Sequence, residues 1–184
     1  MIEKEQAGEG MNKKNITLII IGLAAAAVLY IIISGSAKQV GSEPGDRAPD
    51  FSLPSYENDE ETALSDYRDS LVILNMWASW CEPCVRELPA LLEIHENYNE
   101  EGVEVITMNM NSYERTQEEA ETFAAEFNLT RTPSAIDMDG DVADAYQLQY
   151  LPTTVIIDRD GIIIEKIAGE ITYERMEQII EENI

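Results

Sequence analysis

Residues 71–84 read Leu71-Val-Ile-Leu-Asn-Met-Trp77-Ala-Ser-Trp80-Cys81-Glu-Pro-Cys84, an apolar run that ends in a C-x-x-C pair. The chain has no other cysteines. The run is typical of a buried strand, and a helical pattern follows it. A cysteine that opens a helix faces the positive end of the helix dipole, which stabilises its thiolate. A second cysteine one turn later is close enough for a disulfide. The pattern therefore predicts a reversible dithiol/disulfide switch.

The chain is strongly acidic. Its 184 residues are 45% hydrophobic, which suits one domain with appendages. It carries 36 acidic and 12 basic residues, a formal net charge of −24. Phosphate groups would be repelled by such a surface, and this excludes nucleic acid as a partner. Two interpretations of the acidity stay open: a surface that attracts cationic partners, and an adaptation to a salty or alkaline medium.

An uncharged segment, Ile16–Ile33, lies near the N-terminus. As a helix it would reach roughly 27 Å, about the thickness of a bilayer core. Lys13 and Lys14 precede it and favour a cytoplasmic N-terminus. The alternative is a signal peptide cleaved after Gly35-Ser36-Ala37, but the segment is longer than the usual apolar region of such peptides. We expect an uncleaved anchor and a single-pass protein of the cell membrane.

This anchor divides the chain into four parts. Residues 1–15 form the expected cytoplasmic segment and residues 16–33 the transmembrane helix. Residues 34–47 are rich in Gly and Ser and are predicted to be a linker. Residues 48–184 are expected to form one extracytoplasmic domain.

The hydrophobic pattern of that domain alternates between strand and helix periods, which predicts an α/β fold with a mixed central sheet flanked by helices. Arg159-Asp160-Gly161, between two apolar runs, indicates a hairpin. The predicted strands are 48–53, 71–77, 103–109, 134–138, 153–158 and 162–168, and the predicted helices are 84–99, 116–129, 142–147 and 173–182.

Three further features have other interpretations. Trp77 is either an apolar wall of the site or a core residue. The acid-rich stretch 114–126 is interpreted as a solvated helix face. Asp137–Asp141 has acids in a calcium-loop-like spacing, but its glycine is misplaced and the distal glutamate is missing.

The order of elements, with W-x-x-W-C-x-x-C after the first core strand, resembles the thioredoxin superfamily and specifically the membrane-anchored TlpA/ResA branch of extracytoplasmic thiol-disulfide oxidoreductases. The resemblance covers roughly residues 45–184. It rests on Glu82-Pro83 between the cysteines, on Glu87 three residues after the second cysteine, and on Leu151-Pro152-Thr153-Thr154, which matches the cis-proline segment of that family. It implies a thioredoxin-like fold with an insertion over about residues 132–147.

Cys81 lies nearer the helix end and is the predicted nucleophile, and Cys84 is expected to resolve the mixed disulfide. The resemblance adds Glu87 as a third catalytic residue, able to exchange a proton with Cys84. Glu82 and Glu87 place negative charge near the thiols, which opposes the helix dipole and favours a reductant. The expected substrate-binding residues are Trp80, Glu82, Pro83, Leu151, Pro152 and Thr153. No metal and no cofactor are expected.

The resemblance implies a disulfide reductase whose electrons come from a membrane thiol transporter of the CcdA/DsbD type. Its implied substrate is the C-x-x-C-H disulfide of apocytochrome c; the alternative is another extracytoplasmic protein, for example in spore envelope assembly. A Sco-type copper chaperone is disfavoured by the cysteine spacing and by the position of His95, the only histidine. A thiol peroxidase pattern would require other residues at Leu74 and Ala78.

Overall fold

The computed structural model describes residues 13–34, 38–56 and 61–184, with the side chains of 14–29 in the first range. The first helix, α1, runs Lys13–Ser34, and Gln39–Ile184 is a separate compact unit. In the described part of the chain, no helix combines the length and the apolar character needed to cross a membrane. The anchor over 16–33 stays a prediction, and residues 1–12 and the alternative cleavage site at 35–37 lie outside the described residues.

A mixed five-stranded sheet forms the centre of the second unit, as predicted. Its strands are β3 (Leu71–Trp77), β4 (Val103–Asn109), β5 (Ser134–Ile136), β6 (Thr153–Ile157) and β7 (Ile163–Ala168). They are ordered β5-β4-β3-β6-β7. The pairs β3/β4 and β4/β5 are parallel, whereas β6 is antiparallel to both β3 and β7. A separate antiparallel pair consists of β1 (Ser52–Pro54) and β2 (Glu61–Ala63).

Strand β3 is buried along its whole length because both faces of the sheet are covered. Its odd-numbered apolar residues belong to a core cluster with α2 (Glu82–Tyr98), α3 (Gln117–Glu126) and α5 (Tyr173–Asn183). Its even-numbered ones belong to a second cluster with α4 (Asp141–Ala145). Because successive side chains of a strand point to opposite faces of the sheet, the end of β3 lies between two packed layers, directly before the cysteines.

Polar caps set the starts of the helices. Cys81 is the N-cap of α2, which begins two residues before its predicted start at Cys84. The hydroxyl oxygens of Thr116 and Thr172 accept backbone N–H bonds at the starts of α3 and α5. Helix α3 ends at Glu126 rather than at the predicted residue 129.

Two predicted strands differ from the observed ones by more than one residue. The strand predicted over 134–138 ends at Ile136, because the Asp137 carboxylate turns to accept the Gly140 and Ala143 N–H groups at the start of α4. The strand predicted over 48–53 is displaced to β1.

The folded unit also begins earlier than its predicted start at residue 48. Within the predicted 34–47 linker, the Gly45 N–H donates to the Ile163 carbonyl at 2.8 Å, and Arg47 forms isolated bridges with Val40 and Ile162. Backbone hydrogen bonds leave no pattern in the amino-acid sequence, and the Gly- and Ser-rich composition of 34–47 therefore predicted a linker.

Candidate active site

The cysteine pair lies where β3 passes into α2. Cys81 and Cys84 form a disulfide, with an S–S distance of 2.06 Å and a Cα–Cα distance of 5.3 Å. The Cys84 N–H points at Cys81 Sγ at 3.3 Å, so the sulfur takes the place of an N-cap oxygen. Cys81 retains 3% exposure and Cys84 none. Cys81 is therefore the more accessible of the two sulfurs, and its role as nucleophile stays a prediction.

Trp80 and Ser79, directly before Cys81, are attached to the segment that precedes α3. The Trp80 Nε1–H donates to the Tyr113 carbonyl at 2.8 Å, and the indole remains 46% exposed. The Glu114 carboxylate accepts from the Ser79 N–H at 2.7 Å and from its hydroxyl at 2.6 Å. The Asn109 side-chain amide donates to the same carboxylate at 2.7 Å.

These bonds correct the interpretation of residues 114–126. Glu114 lies outside α3 and is half-buried, because three donors converge on its carboxylate. The acids within α3, such as Glu118 and Glu119, are exposed. A groove of about 570 Å³ lies between Trp80 and α3.

Glu87 is buried one turn after Cys84 on α2, with 2% exposure. Its Oε1 accepts from Asn75 Nδ2 at 2.7 Å, and its Oε2 accepts from the Ile171 N–H at 2.9 Å. Burial raises the pKa of Glu87 to about 7; the two hydrogen bonds oppose this rise, and the Glu170 carboxylate adds to it. The side chain therefore exchanges protons near neutral pH.

Glu82 and Pro83, between the cysteines, occupy the first turn of α2. The Glu82 carboxylate is exposed and pairs with Arg86 at 3.1 Å. Arg86 also pairs with Glu170 at 2.8 Å, and this hydrogen bond raises the pKa of the guanidinium. The negative charge of Glu82 near the thiols is thus partly balanced by a cation that the sequence analysis did not include.

The Leu151–Pro152 peptide bond is cis. Leu151 packs against both core clusters, including the one that contains the two cysteines. The Pro152 carbonyl accepts a hydrogen bond from the Gly169 N–H at 2.8 Å. The Thr153 hydroxyl donates to the Tyr150 carbonyl at 2.8 Å. Thr153 begins β6 opposite Met76 of β3, so the segment lies beside the strand that leads into the site.

Trp77 is a core residue. It is fully buried, its ring stacks on Phe123 at a centroid distance of 4.8 Å, and Tyr56 lies on it at 6.3 Å. It belongs to the same hydrophobic core cluster as both cysteines, so its role in the site is packing.

The two predicted cysteines belong to the first core cluster, Leu151 packs against it, and Glu87 is hydrogen-bonded to Ile171 within it. Glu82 and Trp80 lie at the surface. Sequence reasoning missed Asn75, Glu114 and Arg86. A signal existed for Asn75, the only strongly polar residue in an otherwise apolar strand. Within the residues that the structure describes, no group of three or more His, Cys, Asp or Glu side chains is arranged to hold a metal ion.

Comparison with known proteins agrees with this geometry. The model of the AhpC/TSA family matches residues 44–166. The thiol-disulfide oxidoreductase ResA of Geobacillus kaustophilus is 36% identical, over 90% of this chain and 92% of its own. The thioredoxin-like protein YneN of Bacillus subtilis is 37% identical, over 83% and 94%. The crystal structure of StoA from Bacillus subtilis superposes with a TM-score of 0.63 at 25% identity, over 74% of this chain and 97% of StoA.

A thioredoxin-like fold with a C-x-x-C disulfide at a helix start, together with these relatives, defines a thiol-disulfide oxidoreductase. The chain belongs to the AhpC/TSA family and, within it, is a relative of the ResA thiol-disulfide oxidoreductases.

Proposed function

We propose that this oxidoreductase works as a reductase of protein disulfides outside the cytoplasm, and that its substrate is the C-x-x-C-H disulfide of apocytochrome c. The observation that carries the reductive direction is the buried Glu87 carboxyl, one turn from Cys84, with a pKa raised to about 7. Its negative charge, when present, disfavours thiolates on α2. A dithiol that is poorly stabilised in its reduced form passes its electrons on readily.

The exchange proceeds in two steps. The Cys81 thiolate attacks one sulfur of the substrate disulfide, which forms a mixed disulfide and releases the other substrate sulfur as a thiolate. Glu87 then accepts the proton of Cys84, whose thiolate attacks Cys81 Sγ and releases the first substrate sulfur. The two substrate sulfurs gain two electrons, and Cys81 and Cys84 become the disulfide seen in the structure. One proton reaches the substrate thiolates from Glu87, and the other comes from solvent, which received it when Cys81 ionised.

The surface around Cys81 suits a polypeptide substrate. Trp80 offers an exposed aromatic face beside the nucleophile. Glu82 and Pro83 follow it on the helix. Leu151, Pro152 and Thr153 are the proposed substrate-binding segment at the start of β6, in which Leu151 is half-buried and Pro152 and Thr153 are buried. An exposed aromatic ring beside a short main-chain segment favours an extended polypeptide over a small molecule as substrate.

The proposed setting follows from the N-terminal sequence. The uncharged 16–33 segment acts as an uncleaved anchor and places the oxidoreductase domain on the outer face of the cell membrane. A membrane thiol transporter of the CcdA/DsbD type then returns two electrons to the Cys81–Cys84 disulfide after each cycle. Both proposals are tested separately from the exchange chemistry.

The substrate is tested by trapping. Cys84→Ser leaves Cys81 able to attack and removes the resolving thiol, so the mixed disulfide should persist in membranes of the native host. Mass spectrometry of the adduct should identify an apocytochrome c, and Cys81→Ser/Cys84→Ser provides the control that traps nothing. An adduct with a spore envelope protein would support the reductase activity and refute apocytochrome c as its substrate.

The location is tested by adding protease to intact cells from which the wall has been removed. The domain should be digested while a cytoplasmic marker protein survives. Complete protection of the domain would refute the proposed topology without bearing on the reaction.

A further inference from the structure

Asn75 lies in the middle of β3, the central strand, and is fully buried. Its Nδ2 donates to Glu87 Oε1 at 2.7 Å and to Thr154 Oγ1 at 3.0 Å. Its Oδ1 has no hydrogen-bond partner among the described residues. A buried amide with an unpaired oxygen costs stability compared with an apolar residue of the same size. Strand stability therefore does not explain an asparagine at this position.

The two partners of Asn75 belong to different parts of the site. Glu87 is on α2, the helix that carries the cysteines, and Thr154 is on β6, two residues after Pro152. Asn75 and Thr154 are direct cross-strand partners in the antiparallel β3/β6 pair. One side chain thus connects the buried carboxyl to the strand that follows the cis-proline.

We propose that Asn75 is a positioning residue, which keeps the Glu87 carboxylate available as proton acceptor and ties it to the start of β6. The proposal rests on the proposed role of Glu87 toward Cys84. Asn75 itself exchanges no proton and contacts no substrate in this scheme. It acts through the donor that it directs at Glu87 Oε1.

Charge balance around Glu87 explains why this donor matters. On its own helix, Cys81 and Cys84 titrate only when they are reduced. From the loop before α5 the charged neighbour is Glu170, which pairs with Arg86 of α2. Burial and Glu170 both favour the neutral acid. Among the described residues, two groups favour the carboxylate, the Ile171 N–H and the Asn75 amide. Loss of the Asn75 donor removes one of them.

Asn75→Leu, which keeps the number and branching of the side-chain heavy atoms and removes the donor, provides the test. Carboxyl ¹³C NMR of the oxidised full-length protein, with the Glu87 signal assigned from Glu87→Gln, should show the Glu87 titration about one pH unit or more higher than in the wild type. The pH profile of substrate reduction should move upward by a similar amount. Thr107→Val is the matched control: Thr107 is the buried partner of Asn75 on β4 and contacts Thr132, and its loss should leave the titration unchanged.

Two further variants keep the proposal open to refutation. If Asn75→Leu does not fold, Thr154→Val provides the second test, because it removes the hydrogen bond between the Asn75 side chain and β6. It should raise the pH at which Glu87 titrates, by a smaller amount. If Asn75→Leu folds, the double variant Asn75→Leu/Glu87→Gln should reduce substrate no more slowly than Glu87→Gln alone. An unchanged Glu87 titration in the folded variant, or losses that multiply in the double variant, would overturn the proposal. The NMR titration needs no activity, so a wild type without reductase activity would refute the proposed function and the proton transfer to Glu87. A raised Glu87 titration in Asn75→Leu would still show that Asn75 positions the Glu87 carboxylate.

Discussion

Ser79 and Glu114 are joined by two hydrogen bonds, of 2.7 Å from the Ser79 N–H and 2.6 Å from its hydroxyl, although they are 35 residues apart in the chain. Ser79 precedes the Trp80-Cys81 pair, and Tyr113, next to Glu114, accepts the Trp80 indole N–H. The segment before α3 therefore holds the loop that presents the nucleophile.

Glu114→Gln should weaken this attachment. An amide offers one acceptor oxygen and an additional donor to a site where three donors converge, so at least one hydrogen bond to a charged group is lost. We expect a loss of about 1–3 kcal/mol in the free energy of unfolding, measured by urea denaturation of the oxidised protein. Glu118→Gln, an exposed acid of α3, is the control and should change stability by about 0.5 kcal/mol or less. Equal midpoints for the two variants would contradict the structural role of Glu114.

Cys81→Ser should abolish reduction of a model disulfide peptide, because only a thiolate attacks the disulfide sulfur. Cys84→Ser should still form the mixed disulfide but should not complete the cycle. Thiol release followed by absorbance distinguishes the two variants. Turnover by Cys81→Ser, or an adduct formed only through Cys84, would reverse the assignment of nucleophile and resolving thiol.

Glu87→Gln should remove a pH dependence of stability. The pKa of Glu87 is raised from 4.5 to about 7 in the folded protein, so between these values the folded state holds a proton that the unfolded chain releases. The contribution of Glu87 to stability is therefore largest below pH 4.5, falls as the pH rises to 7 and stays lower above it, by about 3 kcal/mol in total.

Urea midpoints of oxidised Glu87→Gln at pH 4 and pH 8 should lack this decline. Glu93→Gln, an exposed acid on the same helix, should retain the decline seen in the wild type. The same pH dependence in Glu87→Gln and the wild type would show that the Glu87 carboxyl titrates normally despite its burial.

Glu87 should also control thiol reactivity in the reduced protein. Above pH 7 its carboxylate is ionised and disfavours a nearby thiolate, whereas at pH 5 it is neutral. Alkylation by iodoacetamide should therefore be several-fold faster in Glu87→Gln than in the wild type at pH 8, and equal at pH 5. Glu82→Gln should have a smaller effect, because Glu82 is exposed and paired with Arg86. Equal rates for Glu87→Gln and the wild type at both pH values would make Glu87 a structural residue only.

Local patterns determined much of this protein. The Cys81–Cys84 disulfide follows from two cysteines one turn apart at a helix start, a geometry that the backbone of α2 supplies alone. The mainly apolar runs predicted β3 and β4 with their exact limits, because strands covered on both faces of a sheet are mostly apolar. The strand/helix alternation likewise predicted the mixed sheet.

Only the tertiary structure decided which polar groups meet. Asn75 reaches Thr154, and Glu87 reaches the Ile171 N–H, across 79 and 84 residues of chain, because β6 lies beside β3 and the loop before α5 packs on α2. The same packing removes water from Glu87 and raises its pKa to about 7. Such pairings depend on strand order and burial, which are properties of the whole fold. The sequence pattern around each residue contains neither, so it predicted Glu87 at the site but not the partners that control its proton.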